Sequence, residues 1–321
     1  MRVIYAGTGD IGLPTLRWLL TDPGIDLLAV ICQPDKPVGR KQELTPPATK
    51  QLALEHGIEV RQPEKLRTDL EFFDSAAPDL VVVMAYGQLL TKSVLEAPRI
   101  ACLNLHASIL PRHRGASPIQ AAIREGDEES GVTVMYMDKG MDTGDILLTH
   151  RFALAPDETG GSLHDRLAEA APSALAQAID QLRSGLASRT VQDNATATHC
   201  GKLTRNDGRI DWSLPAACIE RQIRAYDPWP GTSSQWMHTN SPLTGKLLKI
   251  FPPTQVIASM SACDSAPGTV VDTAGGTMTV QTGQGLLRLL SVQLEGKRRM
   301  DASTFLKGNP LPKEAILQST T

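Results

Sequence analysis

Residues 1–6 (MRVIYA) are largely apolar and meet a glycine at once, after which Leu13, Leu16, Leu19 and Leu20 recur at helical spacing. A short apolar run that stops at a glycine turn and passes into a 3.6-residue period predicts a buried strand followed by a helix. The alternation repeats. Residues 27–32 (LLAVIC) end at a turn containing Pro34, and 48–56 reads helical after a proline-bearing loop over 35–47. Residues 80–84 (LVVVM) are continuously apolar and rich in β-branched side chains, as a strand covered on both faces requires. Residues 100–105 and 132–137 are further strands. Ser117 and Pro118 open a helix, because serine caps an N-terminus and proline fits its first position, and Gly126 closes it. Residues 159–183 are mostly helical. The pattern predicts an α/β fold, a Rossmann-like, doubly wound, mostly parallel sheet.

Beyond residue 186 the period fades into Thr-, Asn- and Ser-rich sequence, which predicts a linker over 187–207. A short helix at 219–224 follows. Then come brief apolar runs at 247–251, 269–271, 278–281 and 286–294, parted by glycine, proline and asparagine. That texture predicts a smaller β-barrel or sandwich over 208–321, of which an OB-like barrel is the expectation adopted. A chain of 321 residues exceeds one small core, so a division into domains at 1–186 and 208–321 is expected.

At 41% hydrophobic and 21% charged, the chain has a globular composition that excludes disorder, collagen and coiled coil. No run approaches the roughly 18–20 apolar residues of a membrane span. The start, with one basic residue and a short apolar stretch, does not read as a secretory leader. Five cysteines, at 32, 102, 200, 218 and 263, show no CxxC spacing, so reduced thiols, no metal and a cytoplasmic setting are expected. Residues 1–189 carry 19 Lys+Arg against 25 Asp+Glu, and residues 190–321 carry 13 against 10. The mildly basic second half is the better placed to meet phosphate.

Gly7-Thr8-Gly9-Asp10-Ile11-Gly12 matches the dinucleotide fingerprint GxGxxG between strand and helix. The ribose-binding acid belongs about 20 residues further on, at the end of the second strand. Cys32, Gln33 and Pro34 stand there instead. A glycine turn that lets strand and helix pack closely accounts for the motif without a dinucleotide.

Asn104-Leu105-His106 ends a buried strand. Side chains alternate across a sheet, so 104 and 106 share one side, at the edge where open α/β sheets bind ligands. The long loop that follows, ASILPRHRGASP, contains two arginines and reads as a ligand wall. A second element, Lys139-Gly140-Met141-Asp142-Thr143-Gly144-Asp145, places carboxylates in a glycine-flanked loop. Asp142 could there orient His106 or hold a water. Taken singly, each element also suits a structural role: a cap, a satisfied core imidazole, a solvated turn.

Taken together, NxH, the LPxxRG loop and DTGD 38 residues beyond the asparagine resemble the formyltransferase family that uses 10-formyltetrahydrofolate. The resemblance runs through YAGTGD, QPDKPVGR, VMAYGQLL, NLHASILPRHRGASPIQ, MDTGDIL, GRIDWS, IRAYDPWPG and APGTV. It departs from the usual GTPDF start at Gly9 and Ile11. The resemblance implies Asn104, His106 and Asp142 as catalytic residues, and 10-formyltetrahydrofolate as formyl donor with no metal. An amine attacking the formyl carbon creates an oxyanion. Asn104 and a protonated His106 would donate to it, and Asp142 would stabilise the imidazolium. The resemblance further implies that folate lies along Ser108, Ile109, Leu110 and Pro111 and against Tyr86, Gly87, Gln88, Leu89 and Leu90.

The tRNA-directed branch of the family carries an insertion like 35–47, so initiator methionyl-tRNA is the implied acceptor. Lys36, Arg40 and Lys41 in the insertion, with Lys202 and Arg205 beyond the linker, are the implied tRNA contacts. Arg209, Arg221, Arg224, Arg288 and residues 297–299 add to a basic barrel, and Trp212, Trp229 and Trp236 are expected in its core. A monomer is expected, since no apolar stripe suggests a partner face. From the residues, three alternatives stay open: a same-fold enzyme acting on a small-molecule amine, a dinucleotide-dependent oxidoreductase, and a non-catalytic tRNA- or folate-binding module.

Overall fold

The computed structural model describes residues 1–39, 41–66, 69–238, 243–257, 265–309 and 315–318. The chain folds into two compact units. The first comprises Met1–Pro118, Glu129–Ala153 and His164–Cys200; the second comprises Ile119–Glu128, Leu154–Leu163 and Gly201–Thr321. The two units are interleaved along the sequence.

The first unit is built on strands β1 (Arg2–Gly7), β2 (Asp26–Ile31), β3 (Lys36–Val38), β4 (Glu43–Thr45), β5 (Glu59–Arg61), β6 (Leu80–Met84), β7 (Ala101–His106), β8 (Arg114–Gly115), β9 (Glu129–Tyr136), β10 (Ile146–Ala153) and β11 (His199–Cys200). Its main sheet has the order β10-β9-β7-β6-β1-β2-β5. Strands β7, β6, β1, β2 and β5 run parallel, whereas β9 is antiparallel to both β7 and β10. Every residue of β6 is buried, as its unbroken apolar run predicts. Because β1, β6 and β7 run parallel, the loops leaving their carboxyl ends, after Gly7, Met84 and His106, emerge along one edge. Ligands of open α/β sheets bind at such an edge. Helices α1 (Leu13–Thr21), α2 (Ala48–Glu55), α3 (Leu70–Ala76) and α4 (Lys92–Leu95) connect the strands. Helix α5 (Pro118–Glu125) falls almost wholly in the second unit, and helix α6 (Gly160–Ser184) runs from the second into the first.

The first glycine turn is packed from beneath. Tyr5, fully buried on β1, donates its hydroxyl to the Gly12 carbonyl at 3.2 Å. A Cβ on Gly7 or Gly12 would strike the Tyr5 ring. These glycines make room for an aromatic ring of the protein itself, in keeping with the close-packing reading of GTGDIG.

In the second unit, helix α7 (Ala216–Ala225) precedes β12 (Thr232–Met237), β13 (Leu247–Ile257), β14 (Val270–Asp272), β15 (Met278–Gln281), β16 (Leu286–Leu294), β17 (Met300–Asp301), helix α8 (Ala302–Gly308) and β18 (Ile316–Gln318). The antiparallel order β14-β15-β16-β13-β12-β18 is nearly closed on itself. Val270 N–H donates to Ala315 C=O and Leu317 N–H to Gly268 C=O, both at 2.8 Å, bringing the last strand round to the first. Trp236 and Phe305 meet edge to face in the core, 6.4 Å between centroids. The barrel class follows the reading of its sequence, and β12, β17 and β18 join the strands that reading predicted.

Three features differ from that reading. The 35–47 stretch is not a plain loop: β3 and β4 pair as a hairpin rooted by Lys50, whose ammonium donates to both Asp35 oxygens at 2.9 Å. Hydrogen bonds from Gln62, followed by Lys50, hold the Asp35 carboxyl below the usual carboxylate range. Residues 190–200, polar enough to read as linker, are built into the first unit through the Ile146–Thr190 bridge and the β8–β11 pair. Trp229 is half exposed, while Trp212 and Trp236 are buried as expected. Pro228 and Pro230 flank Trp229 and supply no N–H to a ladder, so this turn stays outside the barrel wall.

Burial pushes the Cys32 thiol up to about 11 and that of Cys102 up to about 12. The thiolate is the reactive form, so a raised value suppresses alkylation at neutral pH. Iodoacetamide at pH 8 is expected to leave both unmodified in the native protein and to label both after unfolding. Peptide mass spectrometry checks this, and native labelling of either thiol would contradict the packing described.

Candidate active site

Strand β7 sits between β6 and β9, with Asn104 opposite Val83 and Met135, and His106 opposite Thr133. The two-residue spacing puts Asn104 and His106 on one side of the sheet. His106 is 6% exposed and its ring is held by the main chain: Nε2 lies 2.9 Å from the His113 carbonyl oxygen. A carbonyl only accepts, so Nε2 carries the hydrogen in the neutral ring and Nδ1 is left bare. Nδ1 lies 3.6 Å from Asp142 Oδ1. At that distance there is no hydrogen bond, and the two groups become an ion pair only when the ring is protonated. The tautomer is therefore fixed by the His113 carbonyl, and Asp142 stands against the other nitrogen.

The loop between β9 and β10 delivers the carboxylate. Asp142 has φ +56°, a left-handed conformation that costs a non-glycine residue roughly 1–3 kcal/mol and persists only where surroundings enforce it. Here they do. Gly115 N–H donates to Asp142 Oδ2 at 2.8 Å, and Asn104 Nδ2 lies 3.5 Å from Oδ1. Gln192 Nε2 donates to the carbonyls of Asp142 (2.9 Å) and Gly144 (2.7 Å), so one side chain spans the loop. Gln192 Oε1 in turn accepts from Arg114 Nε at 3.0 Å and from its terminal nitrogen at 2.9 Å. Asn104, His106 and Asp142, drawn from two stretches of sequence, thus form one cluster.

The segments matched to folate flank this cluster along the same sheet edge. Ser108 is buried and donates to the Arg112 carbonyl at 2.7 Å, while its own carbonyl accepts from Thr133. Leu110 is buried and its N–H donates to Thr133 Oγ1 at 3.2 Å; Ile109 and Pro111 are half-buried. On the β6 loop, Tyr86 is buried within the core, its hydroxyl lacks a hydrogen-bond partner, and burial pushes its phenol up to about 12. Gly87 is exposed. The Gln88 side chain is committed locally: it accepts from Leu66 N–H and donates to the Pro63 and Glu64 carbonyls. Leu90 packs on the core, but Leu89 is 78% exposed. An exposed leucine, a half-buried isoleucine and an open glycine suit a flat, largely apolar ring.

In the first unit, Lys36 on β3 and Lys41 in the β3–β4 turn are exposed, and Arg40 lies outside the described residues. In the second, Lys202 is exposed and Arg205 opens a short 3-10 turn. That turn is capped by Thr204, which donates its N–H and hydroxyl to Asp207 at 2.6 Å. The Thr204 hydroxyl holds the Asp207 carboxyl below its usual range. Two other barrel-side arginines are engaged: Arg224 pairs with Glu220 at 2.6 Å, and Arg221 donates to the Arg124 carbonyl at 3.0 Å. Among the described residues, no three His, Cys, Asp or Glu side chains are grouped to hold a metal ion.

Sequence reasoning missed His113, Arg114, Gly115 and Gln192. The first and third act through main-chain groups, which leave no residue-type signal. Gln192 sits in sequence that reads as linker. Arg114 was visible only as one of two arginines in a proline-bearing loop.

The model of the family described as "Formyl transferase" matches residues 1–179, and that described as "Formyl transferase, C-terminal domain" matches 202–310. A protein of Desulfotalea psychrophila named "Methionyl-tRNA formyltransferase" is 44% identical over 322 residues, covering 100% of this chain and 96% of that protein. One of the same name from Pseudomonas paraeruginosa is 46% identical over 298 residues, 92% of each. Among solved structures, an N-formyltransferase of Helicobacter canadensis, in complex with folinic acid and dTDP-3-aminofucose, aligns at a TM-score of 0.64. It shares 17% identity and covers 93% of this chain and 99% of that one. HypX of Aquifex aeolicus with tetrahydrofolic acid aligns at 0.58 with 17% identity, covering 100% of this chain and 51% of its own. At these identities the two structures bear on the fold.

Proposed function

The chain belongs to the formyl transferase family, and we propose that it moves the formyl group of 10-formyltetrahydrofolate to the α-amine of initiator methionyl-tRNA, in the cytoplasm and as a monomer. The observation that carries this reading is the meeting of an amide, an imidazole and a carboxylate at the carboxyl end of β7. The donor supplies an electrophilic formyl carbon. When the amine attacks, negative charge develops on the formyl oxygen, and Asn104 Nδ2 can donate to it without adding charge. His106 takes the proton of the attacking amine through Nδ1, because Nε2 is committed to the His113 carbonyl, and passes it to the folate nitrogen as the bond between that nitrogen and the formyl carbon breaks and tetrahydrofolate leaves. Asp142, 3.6 Å away, stabilises the imidazolium that results. The incoming amine is itself the nucleophile.

Ile109, Leu110, Leu89, Leu90 and the main chain around Gly87 are the groups we assign to the folate. Ser108 and Gln88 serve that site indirectly, since their side chains already tie down its two walls. Lys36 and Lys41 on the hairpin, and Arg40 from the sequence between them, are assigned to tRNA, with Lys202 and Arg205 in the second unit. We also assign catalysis to the first unit and much of the tRNA contact to the second.

Replacing Lys36, Arg40 and Lys41 together with alanine is expected to raise KM for charged tRNA roughly tenfold. The slope of log KM against log salt should fall by about 2–3, since each phosphate contact contributes roughly 0.7–0.9. Steady-state assays at several salt concentrations check this, and an equal loss with a small amine acceptor would contradict it. The function itself is tested by incubating the protein with 10-formyltetrahydrofolate and either charged initiator tRNA or free amines. Formyl-methionyl-tRNA is expected. Formylation of the free amines alone would favour the small-molecule reading.

A further inference from the structure

We infer that Arg114 and Gln192 are positioning residues for the transfer step, a clamp that holds the Asp142 loop in register with His106; this rests on the formyl-transfer reading above.

The loop's left-handed residue, Asp142 at φ +56°, must be held from outside. Gln192 is 5% exposed and its amide nitrogen reaches the carbonyls of Asp142 and Gly144, on either side of Thr143. An amide can satisfy two acceptors in this way only if its NH2, not its oxygen, faces the loop. Arg114 decides that orientation. Its guanidinium, 3% exposed, donates two N–H bonds to the amide oxygen at 3.0 and 2.9 Å. A cation at the oxygen end also polarises the amide and strengthens its N–H donors at the other end.

Arg114 lies between the two main-chain groups that touch the catalytic side chains. The His113 carbonyl holds His106 Nε2, and Gly115 N–H holds Asp142 Oδ2. Residues 113–115 therefore grip the imidazole, the carboxylate and, through Gln192, the loop bearing that carboxylate. Gln192 is anchored in turn. Thr190 exchanges two hydrogen bonds with Ile146, at 2.8 and 2.9 Å, and Thr198 C=O accepts Arg114 N–H at 2.8 Å. The stretch that reads as a linker is thus a brace across the site.

Gln192→Glu is the discriminating variant. It keeps the volume and gives Arg114 a carboxylate partner, but it turns an oxygen toward two carbonyls that need donors. With the loop unclamped, kcat is expected to fall roughly 10²-fold, the loss that about 1 Å of misplacement can produce. KM for 10-formyltetrahydrofolate and for charged tRNA should stay within a few-fold, and the thermal midpoint close to the parent's. Arg114→Met is expected to reproduce the kcat loss, and Arg114→Lys to recover only part of it, because lysine lacks the two-pronged fork. The decisive comparison is a cycle with Asp142→Ala. If the clamp acts through Asp142, adding Gln192→Glu to Asp142→Ala costs little more. A full second loss in the double variant, or a near-parental kcat in Gln192→Glu, would overturn the assignment while the parent enzyme still formylates. A parent that transfers no formyl group would overturn the underlying reading as well.

Discussion

His106→Ala is expected to lower kcat for formyl transfer by roughly 10²–10⁴-fold, the range supplied by a positioned acid–base group. Binding of 10-formyltetrahydrofolate should change only a few-fold. The ring is nearly buried, with one nitrogen bound to the His113 carbonyl and the other facing Asp142, so its removal takes away the proton-exchanging group without touching the folate walls. Asp142→Ala is expected to match that loss and to leave Gly115 N–H without its acceptor. Asp142→Asn separates the two effects: the amide oxygen can still accept from Gly115, whereas the negative charge beside the imidazole is gone. Single-turnover transfer with folate binding measured in parallel checks all three. A near-parental rate in His106→Ala or Asp142→Ala would show that these side chains do not have the roles given to them.

Gly115→Ala should be nearly as damaging. Gly115 has φ +120°, and a Cβ there would run into the Cys200 carbonyl of β11. That conformation is all but closed to side-chain-bearing residues. The same glycine supplies the N–H that holds Asp142 Oδ2 at 2.8 Å. The substitution must therefore part β8 from β11 or swing the peptide away from the carboxylate, and either outcome loosens the cluster. Kinetic loss on the order of 10²-fold is expected from displacement alone. A stability loss of roughly 1–3 kcal/mol should accompany it, as for a strained backbone that cannot relax. Thermal unfolding and transfer assays on one preparation measure both. An unchanged midpoint with unchanged kcat would mean that this turn does not set the site.

The grouping of Asn104, His106 and Asp142 was legible through the family resemblance, and periodicity alone carried only part of it. Two-residue spacing on β7 put Asn104 and His106 on one side, and glycines around Asp142 announced a tight turn. What holds the cluster was not legible. The tautomer of His106 depends on a carbonyl seven residues on, and any residue type carries a carbonyl. Gln192 is one polar side chain among many. Only the three-dimensional path of 190–200 shows it to be buried. The 35–47 stretch hid its hairpin because β3 and β4 are three residues each and wholly exposed, leaving no apolar alternation to read. Strand β12, TSSQWM, escaped notice for the opposite reason. It turns Thr232, Ser234 and Trp236 inward, and the small polar groups are satisfied there, Thr232 by the Ile250 carbonyl and Ser234 by Trp212 Nε1. Trp229 was placed in the core on its apolar neighbours, yet two flanking prolines keep it half exposed.

In direct transfer the neutral α-amine of the aminoacylated tRNA attacks the formyl carbon within the Asn104–His106–Asp142 cluster, and the bond from that carbon to the folate nitrogen breaks. A rapid-quench single turnover with carbon-labelled 10-formyltetrahydrofolate and charged initiator tRNA tests it. Label should leave the donor as it enters the methionyl amine, never be found on the protein, and stay on the donor in His106→Ala. Label trapped on the protein ahead of product, or transfer undiminished in that variant, would contradict it.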